Sequence, residues 1–533
     1  MTDGAIPWWR GAAIYQIYPR SFADSNGDGV GDLPGLTAHL DHVARLGVDA
    51  IWISPFFASP MKDFGYDVSD YRAVDPLFGT LADFDALIER AHALGLKVII
   101  DQVMSHTSDQ HPWFQQSRMD RAGPCADWYV WADPKADGTP PSNWQSVFGG
   151  PAWTWDARRR QYYLHNFLAA QPNLNGHNPA VQAALLDVTR FWLERGVDGL
   201  RLDAVNFAMH DPLLRDNPPA PDTGRVRTRP FDYQREVYNR SHPDLVGFVE
   251  KIRAVTDDYP DRFTVAEVGG SESLDEMQRF TQPPGRLNSA YGFEFLYADA
   301  LTPDLVERSL AAWPDRPQIG WPSWAFSNHD APRAVSRWAP PADRAAAARL
   351  HALLLISLRG NIFLYQGEEL GLPQAAIPFD QLRDPEAIAN WPLTLGRDGA
   401  RTPMPWRREA PGTGFSTGAP WLPITAEHAA LAVDRQEDDP DSQLALTRRL
   451  LALRRERPAL RLGAMTVTAS DGPILAFERA HGNASLLCVF NLGGEPVAWS
   501  PADADAWTVI EAVNGAALGG LPAYGGLIAE RRA

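Results

Sequence analysis

The 533-residue chain predicts an α/β fold: a (β/α)8 TIM barrel with a small inserted domain after strand three and a C-terminal all-β sandwich domain. Three observations carry this expectation. Short apolar strands repeatedly follow a helix that stops at glycine; about eight such strands alternate with helices; and beyond about residue 457 the helices give way to short strand-like runs.

The first strand reads over 13–19. The glycine pattern then appears as Leu46-Gly47-Val48-Asp49-Ala50-Ile51-Trp52-Ile53-Ser54, as Leu94-Gly95-Leu96-Lys97-Val98-Ile99-Ile100-Asp101 and as Arg195-Gly196-Val197-Asp198-Gly199-Leu200-Arg201-Leu202-Asp203. The glycine suits a left-handed helix cap, and the apolar run suits a strand buried on both faces. Further strands are expected at 263–268, 291–296, 324–329 and 361–366, between helices such as 83–94, 179–195 and 342–358. A doubly wound open sheet is the alternative, but no Gly-rich phosphate loop supports it.

Two spacers break the rhythm and set the domain boundaries. The barrel occupies 1–103 and 176–456, a Trp-, Pro- and Asp-rich insert occupies 104–175, and a β domain occupies 457–533. A second, Pro- and Gly-rich excursion at about 372–440 follows strand eight, and loops of that length inside a compact domain are usually functional.

Composition narrows the function. An apolar fraction of 45% and a charged fraction of 22% are ordinary for a globular protein. With 66 acidic against 49 basic residues the net charge is -17, which disfavours nucleic acid or an anionic membrane as partner and leaves a neutral small molecule. Nineteen Trp are useful for stacking on sugars and also for packing. Cys125 and Cys488 read as unpaired thiols of a reducing compartment. The N-terminal stretch to Trp9 has neither a basic start nor a long apolar run, and no later stretch approaches transmembrane length, so a cytoplasmic protein is expected.

In a barrel the polar residues at the C-terminal strand ends are catalytic candidates, which singles out Ser54, Asp101, Asp203, Glu267 and Asp330. Strand alternation puts Arg201 and Asp203 on one face. Such a pair is commonly a structural ion pair. Three acids at strand ends, with His106, His329 and Arg201 at similar positions, instead suit cleavage of a glycosidic bond, which needs one ionised and one protonated carboxyl facing a single centre. Asp24-Ser25-Asn26-Gly27-Asp28-Gly29-Val30-Gly31-Asp32 has oxygen ligands at alternate positions, as a hard cation requires, although the twelfth position is Gly35 rather than the glutamate of an EF-hand.

These stretches resemble glycoside hydrolase family 13, the alpha-amylase family, and within it the exo-acting alpha-glucosidases and oligo-1,6-glucosidases. The matching motifs, in the family's order, are Asp101-Gln102-Val103-Met104-Ser105-His106-Thr107-Ser108, the strand from Gly199 through Asn206, Ala266-Glu267-Val268 and Phe326-Ser327-Asn328-His329-Asp330. Supporting matches are Tyr15-Gln16-Ile17-Tyr18-Pro19-Arg20-Ser21-Phe22, Asp63-Phe64-Gly65-Tyr66-Asp67-Val68-Ser69-Asp70-Tyr71, Gln171-Pro172-Asn173-Leu174-Asn175 and Arg401-Thr402-Pro403-Met404-Pro405-Trp406.

The resemblance implies that Asp203 is the nucleophile, Glu267 the general acid and base, and Asp330 the transition-state stabiliser. Arg201 is expected to keep Asp203 ionised, and burial to raise the pKa of Glu267. By the same resemblance His106 and His329 bind the nonreducing sugar, Tyr66 stacks on its ring, and Asp63 with Arg401 clamps its far hydroxyls. It also implies a structural Ca2+, or Mg2+, held by Asp24, Asn26, Asp28, Asp32 and the Val30 carbonyl, and no organic cofactor. The expected activity is retaining release of glucose from maltose and short alpha-glucosides, with transfer to alcohol or sugar acceptors, by a monomer or homodimer. Ala204 after the nucleophile points to alpha-1,4 bonds, where enzymes preferring alpha-1,6 bonds carry Val; Asn173 departs from the usual Asp of its motif and bears on the acceptor side.

Rivals within the family are a sucrose isomerase, a trehalose synthase and a dedicated alpha-glucosyltransferase. A non-catalytic barrel subunit of a transporter would need a transmembrane segment and would tolerate loss of the acids. A metal-dependent barrel hydrolase would need clustered His and acid ligands, and no such cluster is visible in the sequence.

Overall fold

The computed structural model describes residues 6–532 apart from 223, 225, 271, 317–319 and 395; the start of the N-terminal stretch discussed above lies outside the described residues. Eight parallel strands close into a barrel: Ala13–Ile17, Ala50–Ile53, Lys97–Val103, Gly199–Asp203, Phe263–Val268, Ser289–Gly292, Trp321–Ala325 and Asn361–Tyr365, the last pairing back onto the first. The strands read as continuous apolar runs because both faces are covered. Ile14, Trp52, Ile99, Val265, Tyr291 and Phe363 fill the interior, while the outward side chains pack on helices.

The turns between helix and strand follow from their glycines. Gly47, Gly95 and Gly196 have φ of 87°, 79° and 96°, a region that costs any residue with a Cβ. Helix starts are equally local. Thr80 and Asp83 form a capping box for Leu81–Ala93, and the Asn178 side chain accepts from the Ala180 N–H ahead of Pro179–Glu194.

Two strands sit elsewhere than the sequence suggests. The sixth occupies Ser289–Gly292 rather than 291–296, and the seventh Trp321–Ala325 rather than 324–329. The apolar runs continue past the strand ends into Phe295, Leu296 and Phe326, which are buried as loop residues. A run shared between strand and buried loop has no periodic mark at the boundary. Asp330 therefore stands in a loop beyond its strand.

The insert carries a small antiparallel sheet, in the order Trp131–Ala132, Gln161–Leu164, Trp153–Asp156, around its own core of Val130, Trp144, Ala152, Trp153 and Leu164. A bridge between His106 and Asn173 closes its base. The terminal β unit is a five-stranded antiparallel sheet, in the order Ala464–Ala469, Ile474–His481, Ala484–Asn491, Gly526–Arg531, Trp507–Val513. One face, with Phe477, Cys488, Phe490 and Ile528, joins the barrel core. The other, with Val489, Trp507 and Leu527, is covered by Val497, Trp499 and Leu521 rather than by a second full sheet. Among the described residues no helix is long and apolar enough to cross a membrane.

Candidate active site

Strand register builds the centre. Asp101 and Val265 flank Arg201 on the neighbouring strands, and Glu267 faces Tyr291. Arg201 Nη1 donates to Asp101 Oδ1 at 2.7 Å and to Asp203 Oδ1 at 2.6 Å. Its Nη2 meets Glu267 Oε1 as an ion pair without hydrogen-bond alignment. Tyr291 Oη donates to Glu267 Oε1 at 3.0 Å and accepts from Arg201 Nε at 3.1 Å. The guanidinium is wholly buried and lies 4.9 Å over the Trp52 ring.

One cation thus serves three buried carboxylates. Burial pushes Glu267 up to about 7 against the pull of Arg201. It pushes Asp203 up to about 7 and Asp101 up to about 6 in the same way. Arg201 is expected to keep Asp203 ionised; it does act in that direction, but desolvation exceeds the attraction of a guanidinium shared three ways. Near neutral pH the group holds protons in common. Asp203 has the aligned bond from Nη1, so the proton is better placed on Glu267.

A second charge cluster surrounds Asp330. Burial acts to raise its pKa, yet His329, Arg401 and Arg397 together hold it well below the carboxylate range. Arg401 Nη2 reaches Asp330 Oδ1 at 2.6 Å, Arg397 Nη1 reaches the same oxygen at 3.4 Å, and His329 Nε2 reaches Oδ2 at 3.2 Å.

Asp63 and Arg401 are both expected to clamp the far hydroxyls of the terminal sugar; Asp63 lines the cavity, whereas Arg401 does not. Arg397 Nη2 bonds Asp63 Oδ1 and Asp384 Oδ1, each at 2.8 Å, and lines the cavity. Arg401 is wholly buried behind it, donating to the His329 carbonyl at 2.6 Å. Arg397 lies four positions from the quoted motif and has no local pattern that distinguishes it; only the fold brings it to Asp63.

His329 is also set back from the cavity. Gln16 Nε2 donates to its Nδ1 at 2.7 Å, so Nε2 carries the hydrogen and faces Tyr66 Oη at 2.5 Å; burial lowers its pKa to about 3 and keeps the ring neutral. Tyr66 Oη in turn donates to Asp101 Oδ2 at 3.0 Å. His106 lines the cavity, donates from Nε2 to the Tyr66 carbonyl at 3.1 Å, and is lowered by burial to about 4. Gln171, which carries no assigned role in the sequence reading, donates to Asp63 Oδ2 at 3.0 Å. Ser54 is buried against Gln16 and Asp101 against Arg201, and neither lines the cavity.

Asp203, Glu267 and Asp330 all open onto one cavity of about 670 Å³, with Asp63, Tyr66 and Arg397 at its wall. Aromatic side chains Phe148, Phe167, Phe207, Phe231 and Phe293 also line it. Ala204, next to Asp203, has φ 38° and ψ 40°, and its N–H lies 3.3 Å from Glu267 Oε2. Asn173 lies outside the cavity, donating from Nδ2 to the Phe207 carbonyl at 3.0 Å, a bond that an ionised Asp could not make.

The Asp24–Asp32 loop is shaped by its own N–H groups. Asp24 accepts from Asn26, Gly27 and Gly29, Asn26 from Asp28, and Asp28 from Val30. Burial acts to raise the Asp24 pKa, but Ser416 Oγ and these N–H donors hold it below the usual value. Asp32 bonds Ser25 and caps the next helix through the Gly35 N–H. The donor set is all oxygen and fits a hard cation, although its carboxylates do not gather as closely as one other group. That group corrects the absence of a His and acid cluster expected from sequence: His177, His242 and Asp244 have ligand atoms within 4.8 Å of one another. None of the three lines the catalytic cavity.

Comparison with known proteins finds relatives along most of the chain. The profile of the alpha amylase catalytic domain matches residues 16–463. A probable alpha-glucosidase of Rhizobium meliloti (strain 1021) is 54% identical over 495 residues, covering 92% of this chain and 90% of the relative. An oligo-1,6-glucosidase of Heyndrickxia coagulans is 37% identical over 539 residues, covering 94% and 95% respectively. The crystal structure of the alpha-glucosyl transfer enzyme XgtA superposes with a TM-score of 0.94 at 52% identity, covering 99% of this chain and all of that one. The trehalulose synthase MutB superposes at 0.89 with 32% identity, covering 99% of this chain and 100% of that one.

Replacing Arg397 by Gln leaves Asp63 buried without its cation. Activity on an aryl alpha-glucoside should fall roughly 10²–10³-fold in kcat/KM, about 3–4 kcal/mol, with circular dichroism unchanged; kinetics within a few-fold of the parent would remove Arg397 from the site.

Proposed function

The chain belongs to the alpha-amylase family, glycoside hydrolase family 13, and on that footing we propose that it is a retaining exo-acting alpha-glucosidase that also transfers glucose to acceptors. The observation that carries the reading is the convergence of Asp203, Glu267 and Asp330 on one cavity whose wall includes the Arg397–Asp63 pair. That pair offers donors and acceptors suited to the far hydroxyls of a terminal glucose. Arg397 also lies 4.7 Å over the Phe148 ring, which fixes its plane.

In the first step Asp203 Oδ attacks the anomeric carbon while Glu267 delivers its proton to the departing glycosidic oxygen. Asp330, kept ionised by Arg401 and Arg397, faces the positive charge that develops on the ring. Asp203 and Glu267 are both bound by one guanidinium, which suits the spacing of about 5 Å in a retaining pair. In the second step Glu267 takes a proton from water or an acceptor hydroxyl, which displaces Asp203 and restores the original configuration.

Transfer is favoured by the aromatic lining, which gives an acceptor alcohol or sugar apolar surface and leaves less of the cavity to water. Ala204, which lines the cavity beside Asp203 where alpha-1,6-preferring relatives carry Val, supports a preference for alpha-1,4 bonds and maltose. Substrates and acceptors are small molecules. Cys125 and Cys488 are both buried and unpaired, which supports a cytoplasmic setting, with the chain acting as monomer or homodimer. A structural Ca2+, or Mg2+, at Asp24, Asn26, Asp28, Asp32 and the Val30 carbonyl completes the reading, supported by the all-oxygen donor set.

Three measurements test it. Asp203→Asn should abolish glucose release from maltose while the parent gives glucose, and glucosides when an alcohol is added; isomers in place of glucose on chromatography would indicate an isomerase.

The proton of Glu267 is available below its raised pKa of about 7 and is lost as pH rises through it, so kcat/KM on maltose should fall on the alkaline side of about 7. Glu267→Gln should lack that limb on alpha-glucosyl fluoride, whose leaving group needs no acid; an unchanged limb would assign it to another residue.

Melting temperature should rise with added Ca2+ and drop with EDTA in the parent, and respond to neither in Asp28→Asn, which keeps the turn but loses the charge. Equal responses in both proteins would empty the loop of its proposed role.

A further inference from the structure

The His177, His242 and Asp244 cluster has no part in the chemistry above. Its members come from two places in the chain: His177 just ahead of the helix Pro179–Glu194, and His242 and Asp244 just ahead of the helix Leu245–Asp257. Their ligand atoms lie within 4.8 Å of one another. His242 Nδ1 is 3.6 Å from Asp244 Oδ2, and the rings of His177 and His242 are 4.8 Å apart at 81°.

Two details set this group apart from packed histidines. His177 Nε2 lies 2.7 Å from the His210 carbonyl, and since a carbonyl only accepts, Nε2 carries the hydrogen and Nδ1 keeps its lone pair. A backbone carbonyl fixing the tautomer of a ligating imidazole is the common outer-shell arrangement of metal sites. The His210 ring, 5.4 Å from that of His177, is buried with its Nδ1 unpartnered. Asp244 is exposed and leaves the cluster open to solvent.

We propose that His177, His242 and Asp244 bind one divalent transition ion of the zinc type, which clamps the loop between strand four and the helix Leu245–Asp257 to the start of the helix Pro179–Glu194. Two imidazoles and one carboxylate select zinc, cobalt or nickel over calcium or magnesium, and leave further positions for water. The clamped loop carries Phe207, Arg229, Phe231, Glu236 and Arg240, all of which line the catalytic cavity, and the Ser241 N–H already ties its far end to the Asn206 carbonyl at 2.7 Å. The ion is structural: it orders the cavity wall and touches no reacting atom.

The test uses the untagged full chain, stripped with chelator and held in excess Ca2+ so that oxygen-ligand sites are filled. Zn2+ is titrated by calorimetry, and Co2+ by its visible absorption. The parent should bind one equivalent, show ligand-field bands with Co2+, and melt higher with Zn2+. His177→Gln and His242→Gln should each weaken binding at least about tenfold, in the range seen when site partners are lost. Asp244 is exposed, so Asp244→Asn folds even where a histidine variant does not, and a tenfold or greater weakening in it supports the site. Absence of stoichiometric binding to the parent, or parent-like affinity in Asp244→Asn, overturns the proposal.

Discussion

A single buried cation under three carboxylates is the constraint on which the centre depends. Arg201 is fully inside the barrel, with Asp101, Asp203 and Glu267 around its two terminal nitrogens. Removing a guanidinium from water is costly, and only a dense set of acceptors offsets that cost. The acids in turn are too many for one charge, so burial leaves protons on them near neutral pH. A site that must hold one acid ionised and another protonated has this property as a direct result of its stoichiometry of charge.

The second cluster obeys the opposite arithmetic. Around Asp330 stand Arg397, Arg401 and a neutral His329, and Asp63 and Asp384 share Arg397. Two guanidiniums converge on the single carboxylate of Asp330, which therefore remains charged. The two clusters meet across one cavity, so that Asp203, Glu267 and Asp330 face one space while differing in their tendency to hold a proton. Different pKa directions for chemically similar groups come from the local count of opposite charges and from burial.

Loops decide what enters. The insert contributes Val147, Phe148 and Phe167, the loop after strand four contributes Phe207 to Arg240, and the excursion after strand eight contributes Glu386 and Arg397. Arg229 joins all three, donating to the Val147 carbonyl at 3.1 Å and pairing with Glu386 at 2.9 Å. A barrel fixes the acids on strand ends while longer segments, bonded to one another, shape the space above them.

The sequence by itself determined the barrel, its insert and its terminal β unit, because helix caps, glycine turns and apolar strands are local physics: Gly47, Gly95 and Gly196 carry their left-handed turns wherever the chain places them. It also made Asp203, Glu267 and Asp330 legible, since each lies in a contiguous motif. Only the tertiary structure decided that Arg397, rather than Arg401, pairs with Asp63, that Arg201 is shared by three acids, and that His177 meets His242 and Asp244. Those facts join residues from distant segments. The physical reason is that ion pairing and desolvation depend on distance in space and on the number of neighbours, quantities that no window of sequence contains.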